Sequence, residues 1–252
     1  MNIIVLGLSH KTAPIELREK LHIPESELPD ILDELGGCEQ ILERMILSTC
    51  NRVEMYAVVD DVEGARRFLI EFLADRRKLP AEIFESSLYL LTADQAIRHL
   101  FRVASSLDAM VVGEPQILGQ VKAAYTVALE RDATGQILNA LMDRALRVAK
   151  RVRTETGIAT SAVSVSTAAI ELAKKIFGDL TGRTVMLIGA GKMSELSAKH
   201  LLADGVGTVL VANRHFERAV ELAKRWGGRA VRYDFAKVEM LQADIVISST
   251  GA

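Results

Sequence analysis

Cysteine is scarce in this chain: 252 residues hold two, Cys38 and Cys50. Two thiols cannot staple a chain of this length. A disulfide scaffold is therefore excluded, and unpaired thiols suit a reducing compartment, so a cytoplasmic protein is expected. An excess of either charge sign is also missing, with 31 Lys and Arg against 33 Asp and Glu and a formal net charge of −2. A protein that binds nucleic acid by bulk phosphate neutralisation would be basic, so any RNA contact must be local. The local candidate is "RALRVAKRVR", where Arg144, Arg147, Lys150, Arg151 and Arg153 recur at helical spacing, although a solvated helix face is the plain reading of such a run. No apolar run is long enough to span a bilayer. The opening "MNIIVL" lacks a basic flank and meets Ser9 and His10 too soon for a signal peptide, so no membrane role is expected. Internal repeats and low-complexity tracts are absent.

What is present falls into two rhythms. The first part mixes strands and helices, whereas the last third alternates them strictly, which marks a domain boundary. Residues 3–9 read as a buried strand, with Thr12 as a cap for the following helix and Pro14 in its first turn. "IPESELPDIL" offers another proline-led helix start. "QILERMILS" and "VEMYAVV" read as strands around "TCNR", a hairpin or tight connection. "VEGARRFLIEFLADRRK" is an amphipathic helix; Thr92 and Gln95 form a capping box for the next, and Pro115 opens a long helix towards Glu130. An α+β domain is expected over residues 1–156. From Thr184 the pattern is βαβαβαβ, a parallel Rossmann-type sheet over residues 157–252, and it holds one half of a doubly wound fold and a little more, so it reads as truncated.

"TVMLIGAGKMSELSAKHLL" places Gly189-Ala190-Gly191 between an apolar strand and a helix, the context that a dinucleotide fingerprint requires. Gly189 allows the tight turn, and Gly191 removes the side chain that would keep a pyrophosphate from the helix N-terminus. The third fingerprint position is Ser194, small but neither glycine nor alanine. At the end of the second strand, where an NAD site wants an acidic residue, the chain has Asn213 and Arg214. A guanidinium there favours a 2′-phosphate, so NADPH is the expected cofactor.

Cys50 sits among Ser48, Thr49, Asn51 and Arg52, all polar, and Arg52 is expected to favour the thiolate, the nucleophilic form. Cys38, in "LGGCEQ", reads as structural. A thiolate combined with an NADPH site suggests an acyl group held as a thioester, then reduced by hydride to an aldehyde. No metal is expected, since His99 and the other histidines show no ligand spacing with a second cysteine. His99 lies on an amphipathic helix, where a surface residue and a proton donor or thiol partner are both open.

Four blocks in order, "GLSHKTAPIELREKL", "STCNRVEMY", "SLDAMVVGEPQILGQVKAAY" and "LIGAGKMSELSAKHL", resemble the glutamyl-tRNA reductase family, over nearly the whole chain. The resemblance implies an NADPH-dependent reduction of glutamyl-tRNA to glutamate-1-semialdehyde, the start of tetrapyrrole synthesis. It implies Cys50 as nucleophile and His99 as the activity-linked histidine. Thr49, Asn51 and Arg52 would hold the glutamyl group, with Glu114, Pro115, Gln116 and Gln120 at the substrate site. NADPH would lie along Gly189, Ala190, Gly191, Lys192, Met193 and Ser194. Ala109 departs from the family, which has a serine there, so that contact is not carried over. Family proteins are also longer, with a C-terminal helical dimerisation domain, which implies a homodimer for the full-length protein. Two other readings stay open: a shikimate-dehydrogenase-like NADP oxidoreductase, because "ANRHFERAVELA" after a glycine turn resembles that cofactor half, and a non-catalytic tRNA- or dinucleotide-binding module.

Overall fold

The computed structural model describes residues 1–158, 165–189 and 191–248, without the side chains at 165–168, 192 and 193. The chain divides into two compact units, Met1–Ala162 and Val163–Ala252, where sequence places the division after residue 156.

The first unit is α+β. Its strands β1 (Asn2–Ser9), β2 (Ile41–Thr49), β3 (Arg52–Val59) and β4 (Tyr89–Thr92) form an antiparallel sheet in the order β2-β3-β1-β4. Helices α1 (Ile15–Leu21), α2 (Leu28–Leu35), α3 (Val62–Arg77), α4 (Ala93–Ala104), α5 (Gln116–Glu130) and α6 (Gln136–Glu155) complete it. All eight residues of β3 are buried, so this strand is covered on both faces and its sequence shows no polar–apolar alternation. Apolar side chains from both faces, among them Leu6, Met45, Met55, Leu69, Leu100, Val121 and Met142, form one core.

Two expected caps are corrected. Thr12 Oγ1 is engaged with the N–H and carbonyl of Ser9, and α1 begins after Pro14 without a side-chain cap. Thr92 does occupy the N-cap of α4, yet its side chain makes no cap bond, and Ala93 lies in the left-handed region at φ 46°. Helix α3 instead gains a cap from Asp61, which accepts from the Glu63 N–H at 3.1 Å. The N-terminus of α6 is met by the buried Glu43 carboxylate, which accepts from Ile137 N–H at 3.0 Å and Leu138 N–H at 2.6 Å, opposite the helix dipole.

The second unit is a parallel α/β layer. After α7 (Val165–Phe177) come β5 (Thr184–Ile188), α8 (Lys192–Ala203), β6 (Thr208–Asn213), α9 (Phe216–Arg225), β7 (Arg229–Arg232) and β8 (Ile245–Ser248), with sheet order β7-β6-β5-β8. Val185, Leu187, Val209 and Val211 are buried on one face, and Met186, Leu210 and Ala212 on the other, as a sheet covered on both sides requires.

Candidate active site

Strands β2 and β3 pair as far as Thr49 opposite Arg52, which leaves Cys50 and Asn51 as a two-residue turn. The turn is tied on every side. Thr49 Oγ1 accepts from the N–H groups of Asn51 and Arg52, each at 3.2 Å. Arg18 Nη1, from α1, donates to the Cys50 carbonyl at 2.6 Å and to Asn51 Oδ1 at 3.2 Å, and the His10 N–H donates to the Asn51 carbonyl at 2.8 Å. The Cys50 residue itself is exposed, whereas Cys38 is half-buried against the core. A cysteine exposed on a backbone held this firmly is not a core packing residue.

Its electrostatics overturn one expectation. The Cys50 thiol pKa is raised, first by burial of its surroundings and then by the Glu114 carboxylate, and the cation that acts against this is Arg18. Arg52 cannot serve as the thiolate's partner. Its side chain is 1% exposed, its Nη1 donates to Glu54 at 2.6 Å, and its Nη2 donates to the carbonyl and carboxylate of Asp108. The guanidinium is thus consumed internally, which also corrects the expectation that its fork is open to a substrate carboxylate. Burial works against the Asp108 carboxylate, but Lys11 at 2.9 Å and Arg52 prevail and hold its pKa below the ordinary value.

The centre of this arrangement is Glu54, fully buried on β3. Residues 52, 54 and 56 share one face of the strand by its two-residue period. The Glu54 carboxylate accepts from Arg52 Nη1 at 2.6 Å and Tyr56 Oη at 2.5 Å, and from Tyr89 Oη at 2.5 Å; it also meets His99 Nε2 at 2.9 Å. Burial alone would raise its pKa; hydrogen bonding to His99, the Arg52 charge and Tyr56 outweigh burial and bring it to about 2. The Tyr56 and Tyr89 hydroxyls are pushed the other way, by burial first and then by the Glu54 charge, and so remain donors.

Tyr89 reaches Glu54 across an intervening strand. Gly7 of β1 pairs with Glu54 on one side and with Tyr89 on the other. Two strand spacings, roughly 9–10 Å, separate the outer backbones, and a side chain at Gly7 would fill the space between them. A Cβ there would stand 2.8 Å from Glu54 Cα and 2.9 Å from Glu54 Cγ, closer than real Cβ contacts come. His99, on α4, packs its ring edge-on to Tyr89 with centroids 5.5 Å apart. The structure therefore brings His99 and Arg52 to one carboxylate, two residues of β3 beyond the Cys50 turn.

Glu114, Pro115, Gln116 and Gln120 come from the loop and helix that follow α4. Ser106 is buried at φ 60°, donates through Oγ to the Glu114 carbonyl at 2.7 Å, and accepts the Gly113 N–H at 2.9 Å. This closes residues 106–114 into a compact loop, with Gly113 at φ 87° and Arg153 Nη1 donating to its carbonyl at 3.2 Å. Burial raises the Glu114 carboxyl pKa. Pro115 caps α5, on which Gln116 and Gln120 lie one turn apart, and Ala109 is half-buried in the loop. Arg153 apart, the basic run on α6 is partly neutralised: Arg147 pairs with Asp143 and Arg151 with Glu155.

In the second unit, Gly189 follows β5 at φ 109°, a left-handed conformation suited to glycine. Gly191 precedes α8, and a Cβ there would meet no atom of the described residues within 4 Å. Ala190 lies outside the described residues, as do the side chains of Lys192 and Met193, whereas Ser194 is buried. Asn213 ends β6 with its Oδ1 accepting from the His215 N–H at 2.8 Å, and Arg214 is exposed. The described residues of this edge fit a dinucleotide-binding turn. Among the described residues no cluster of His, Cys, Asp or Glu could hold a metal ion, and no helix is long and apolar enough to cross a membrane.

Sequence reasoning missed Glu54, Tyr56, Tyr89, Arg18, Lys11 and Asp108. Arg-x-Glu-x-Tyr within a strand otherwise apolar was the one signal that could have found part of this network.

The fold and site together define a class: a two-unit chain with an exposed cysteine on a tied turn in its first unit and a Rossmann-type parallel sheet with a glycine turn in its second. Comparison with known proteins narrows it. Residues 6–156 match the family model described as glutamyl-tRNAGlu reductase, N-terminal domain, and residues 171–252 match that of shikimate / quinate 5-dehydrogenase. The chain is 55% identical over all its 252 residues to a glutamyl-tRNA reductase of Pelobacter propionicus and 54% identical to one of Geobacter sulfurreducens, covering 58% of each. The solved glutamyl-tRNA reductase of Methanopyrus kandleri superposes with a TM-score of 0.57 at 40% identity, over 99% of this chain and 59% of that one. The chain belongs to the glutamyl-tRNA reductase family, and it spans under two thirds of the length of these relatives. The likeness behind the shikimate-dehydrogenase reading is real and is confined to the second unit.

Proposed function

We propose that this chain carries the acyl-transfer and dinucleotide-binding parts of an NADPH-dependent glutamyl-tRNA reductase. The observation that carries the reading is Cys50, an exposed cysteine on a tied hairpin turn within the segment matched to the family's N-terminal domain. The Cys50 sulfur attacks the carbonyl carbon of glutamate esterified to the tRNA 3′ end. The C–O bond to the ribose breaks, tRNA leaves as the alcohol, and a glutamyl thioester remains on Cys50.

A thiol with a raised pKa is mostly protonated near neutrality, so the attack needs a base. Glu114 is the carboxylate whose charge acts on the thiol, and its own raised pKa makes it a better acceptor for that proton than an ordinary carboxylate. His99, held through Nε2 to Glu54, is the proton donor to the departing ribose oxygen. Thr49 and Asn51 shape the turn, while Gln116 and Gln120, one turn apart on α5, would bind the glutamyl group. Arg52 acts indirectly, as the buried counterion that keeps Glu54 ionised and the Asp108 end of the loop in place. Gly189, Ala190, Gly191, Lys192, Met193 and Ser194 would hold the pyrophosphate and Asn213 and Arg214 the 2′-phosphate. Held there, NADPH would supply the hydride for reduction of the Cys50 thioester to glutamate-1-semialdehyde, with the thiol freed.

The test is release of glutamate from glutamyl-tRNA in the absence of reductant. The unaltered chain should release it as water hydrolyses the thioester, and Cys50→Ser should lower the rate by at least about 100-fold. Equal rates in the two proteins would refute the covalent route.

A further inference from the structure

The carboxyl edge of the second sheet carries two arginines that the surrounding ion pairs do not use. In that unit Arg183 pairs with Asp244, Arg225 with Glu195 and Glu221, and Arg229 with Glu239. Among the described residues, neither Arg214 nor Arg232 has a carboxylate within ion-pair distance. The parallel ladder between β6 and β7 ends on the pair Asn213 and Arg232, so the two strands stop at the same level about 4.8 Å apart. Just beyond them a cavity of about 320 Å³ is lined by Asn213, Arg214, Phe216, Arg232, Tyr233 and Asp234. Arg214 lies over the Tyr233 ring, with Cζ 6.0 Å from its centroid. Ligands of open parallel sheets sit outside this edge.

We propose that Arg232 is a specificity-determining residue for the dinucleotide: together with Arg214 it grips the 2′-phosphate, so the preference for NADPH over NADH is divided between two adjacent strands. The proposal rests on the reading that this unit binds a dinucleotide. A 2′-phosphate carries nearly two negative charges and three acceptor oxygens. One planar guanidinium satisfies two of those oxygens, and a second cation from the neighbouring strand is needed for the third. Tyr233 is a positioning residue, because its ring face holds the Arg214 fork towards the cavity. Asp234 lines the same cavity with the opposite sign and limits how strongly a phosphate is held. That arrangement gives two variants with opposite expected effects.

The experiment is a titration of the full chain with NADPH and with NADH, followed by nicotinamide fluorescence, with 2′,5′-ADP as competitor. Arg232→Gln, a change at an exposed strand end, should weaken NADPH and 2′,5′-ADP about 10- to 100-fold and leave NADH within about twofold. Asp234→Asn should tighten NADPH a few-fold with no change for NADH. Loss of both nucleotides to the same extent in Arg232→Gln, or no change in either, overturns the proposal. If Arg214→Gln abolishes the preference while Arg232→Gln keeps it, Arg232 is excluded although the dinucleotide reading stands. Failure of the unaltered chain to bind either nucleotide removes that reading, and the proposal with it.

Discussion

Glu54→Gln is the substitution that probes the first unit most sharply. The amide keeps the size of the side chain but removes the charge that four donors converge on. The Glu54 carboxyl titrates at about 2 in the folded chain against an ordinary 4.5. A carboxyl whose folded pKa is depressed stabilises the fold fully above the unfolded value, near 4.5, and loses that contribution as pH falls towards 2. At about 1.36 kcal/mol per unit, the contribution is about 3 kcal/mol at neutral pH. Losing one partner of a buried ion pair costs a similar amount, because Arg52 is left buried with Asp108 alone. Urea unfolding of the first unit, followed by circular dichroism, should therefore show Glu54→Gln less stable by about 3 kcal/mol at pH 7. The deficit should shrink as both proteins are taken from pH 5 towards pH 2.5, since over that range the unfolded chain takes up a proton at Glu54 while the folded chain keeps the carboxylate ionised. A variant with unaltered stability at pH 7, or a deficit that stays constant with pH, would refute the assignment of a charged, fully satisfied Glu54.

The remaining predictions concern neighbouring residues. Gly7→Ala should destabilise the first unit by about 2–4 kcal/mol in the same urea assay, since its Cβ must displace Glu54 and obstruct the Tyr89 hydroxyl; a neutral outcome would mean that the crossing over β1 is not tight. Glu114→Gln should move the midpoint of Cys50 alkylation by iodoacetamide to lower pH, because a carboxylate that disfavours the thiolate is gone; an unmoved or raised midpoint would contradict the electrostatics of the loop. Glu43→Ala should cost about 1–2 kcal/mol in thermal unfolding through loss of the cap on α6, and an unchanged melting temperature would argue that the Ile137 and Leu138 N–H groups find other partners.

The features legible in sequence were those that depend on a few consecutive residues. The Gly189 turn, the hairpin at Cys50 and the start of α5 at Pro115 all follow from local backbone preferences, and the structure has each of them. The electrostatics of the thiol were not local. Arg52 is two residues from Cys50 in sequence, but strand alternation sends its side chain to the face of Glu54, and the cation beside the turn is Arg18, 32 residues away. The carboxylate that acts on the thiol, Glu114, arrives through a loop whose shape depends on Ser106 in a left-handed conformation. Glu54 itself was hidden because β3 is buried on both faces, so its polar residues break no alternation, and two of its partners, Tyr89 and His99, arrive from β4 and α4. The caps at Thr12 and Thr92 failed for a related reason: a hydroxyl beside a helix start has competing partners, and at Thr12 the turn after β1 takes it.

The central claim is that the Cys50 sulfur takes up the acyl group. Mass spectrometry of the chain mixed with glutamyl-tRNA, without NADPH and quenched in acid, tests it most directly. A glutamyl adduct on the peptide that contains Cys50, lost in Cys50→Ser, is the result expected. Glutamate released from the tRNA with that peptide unmodified at every time point would contradict it.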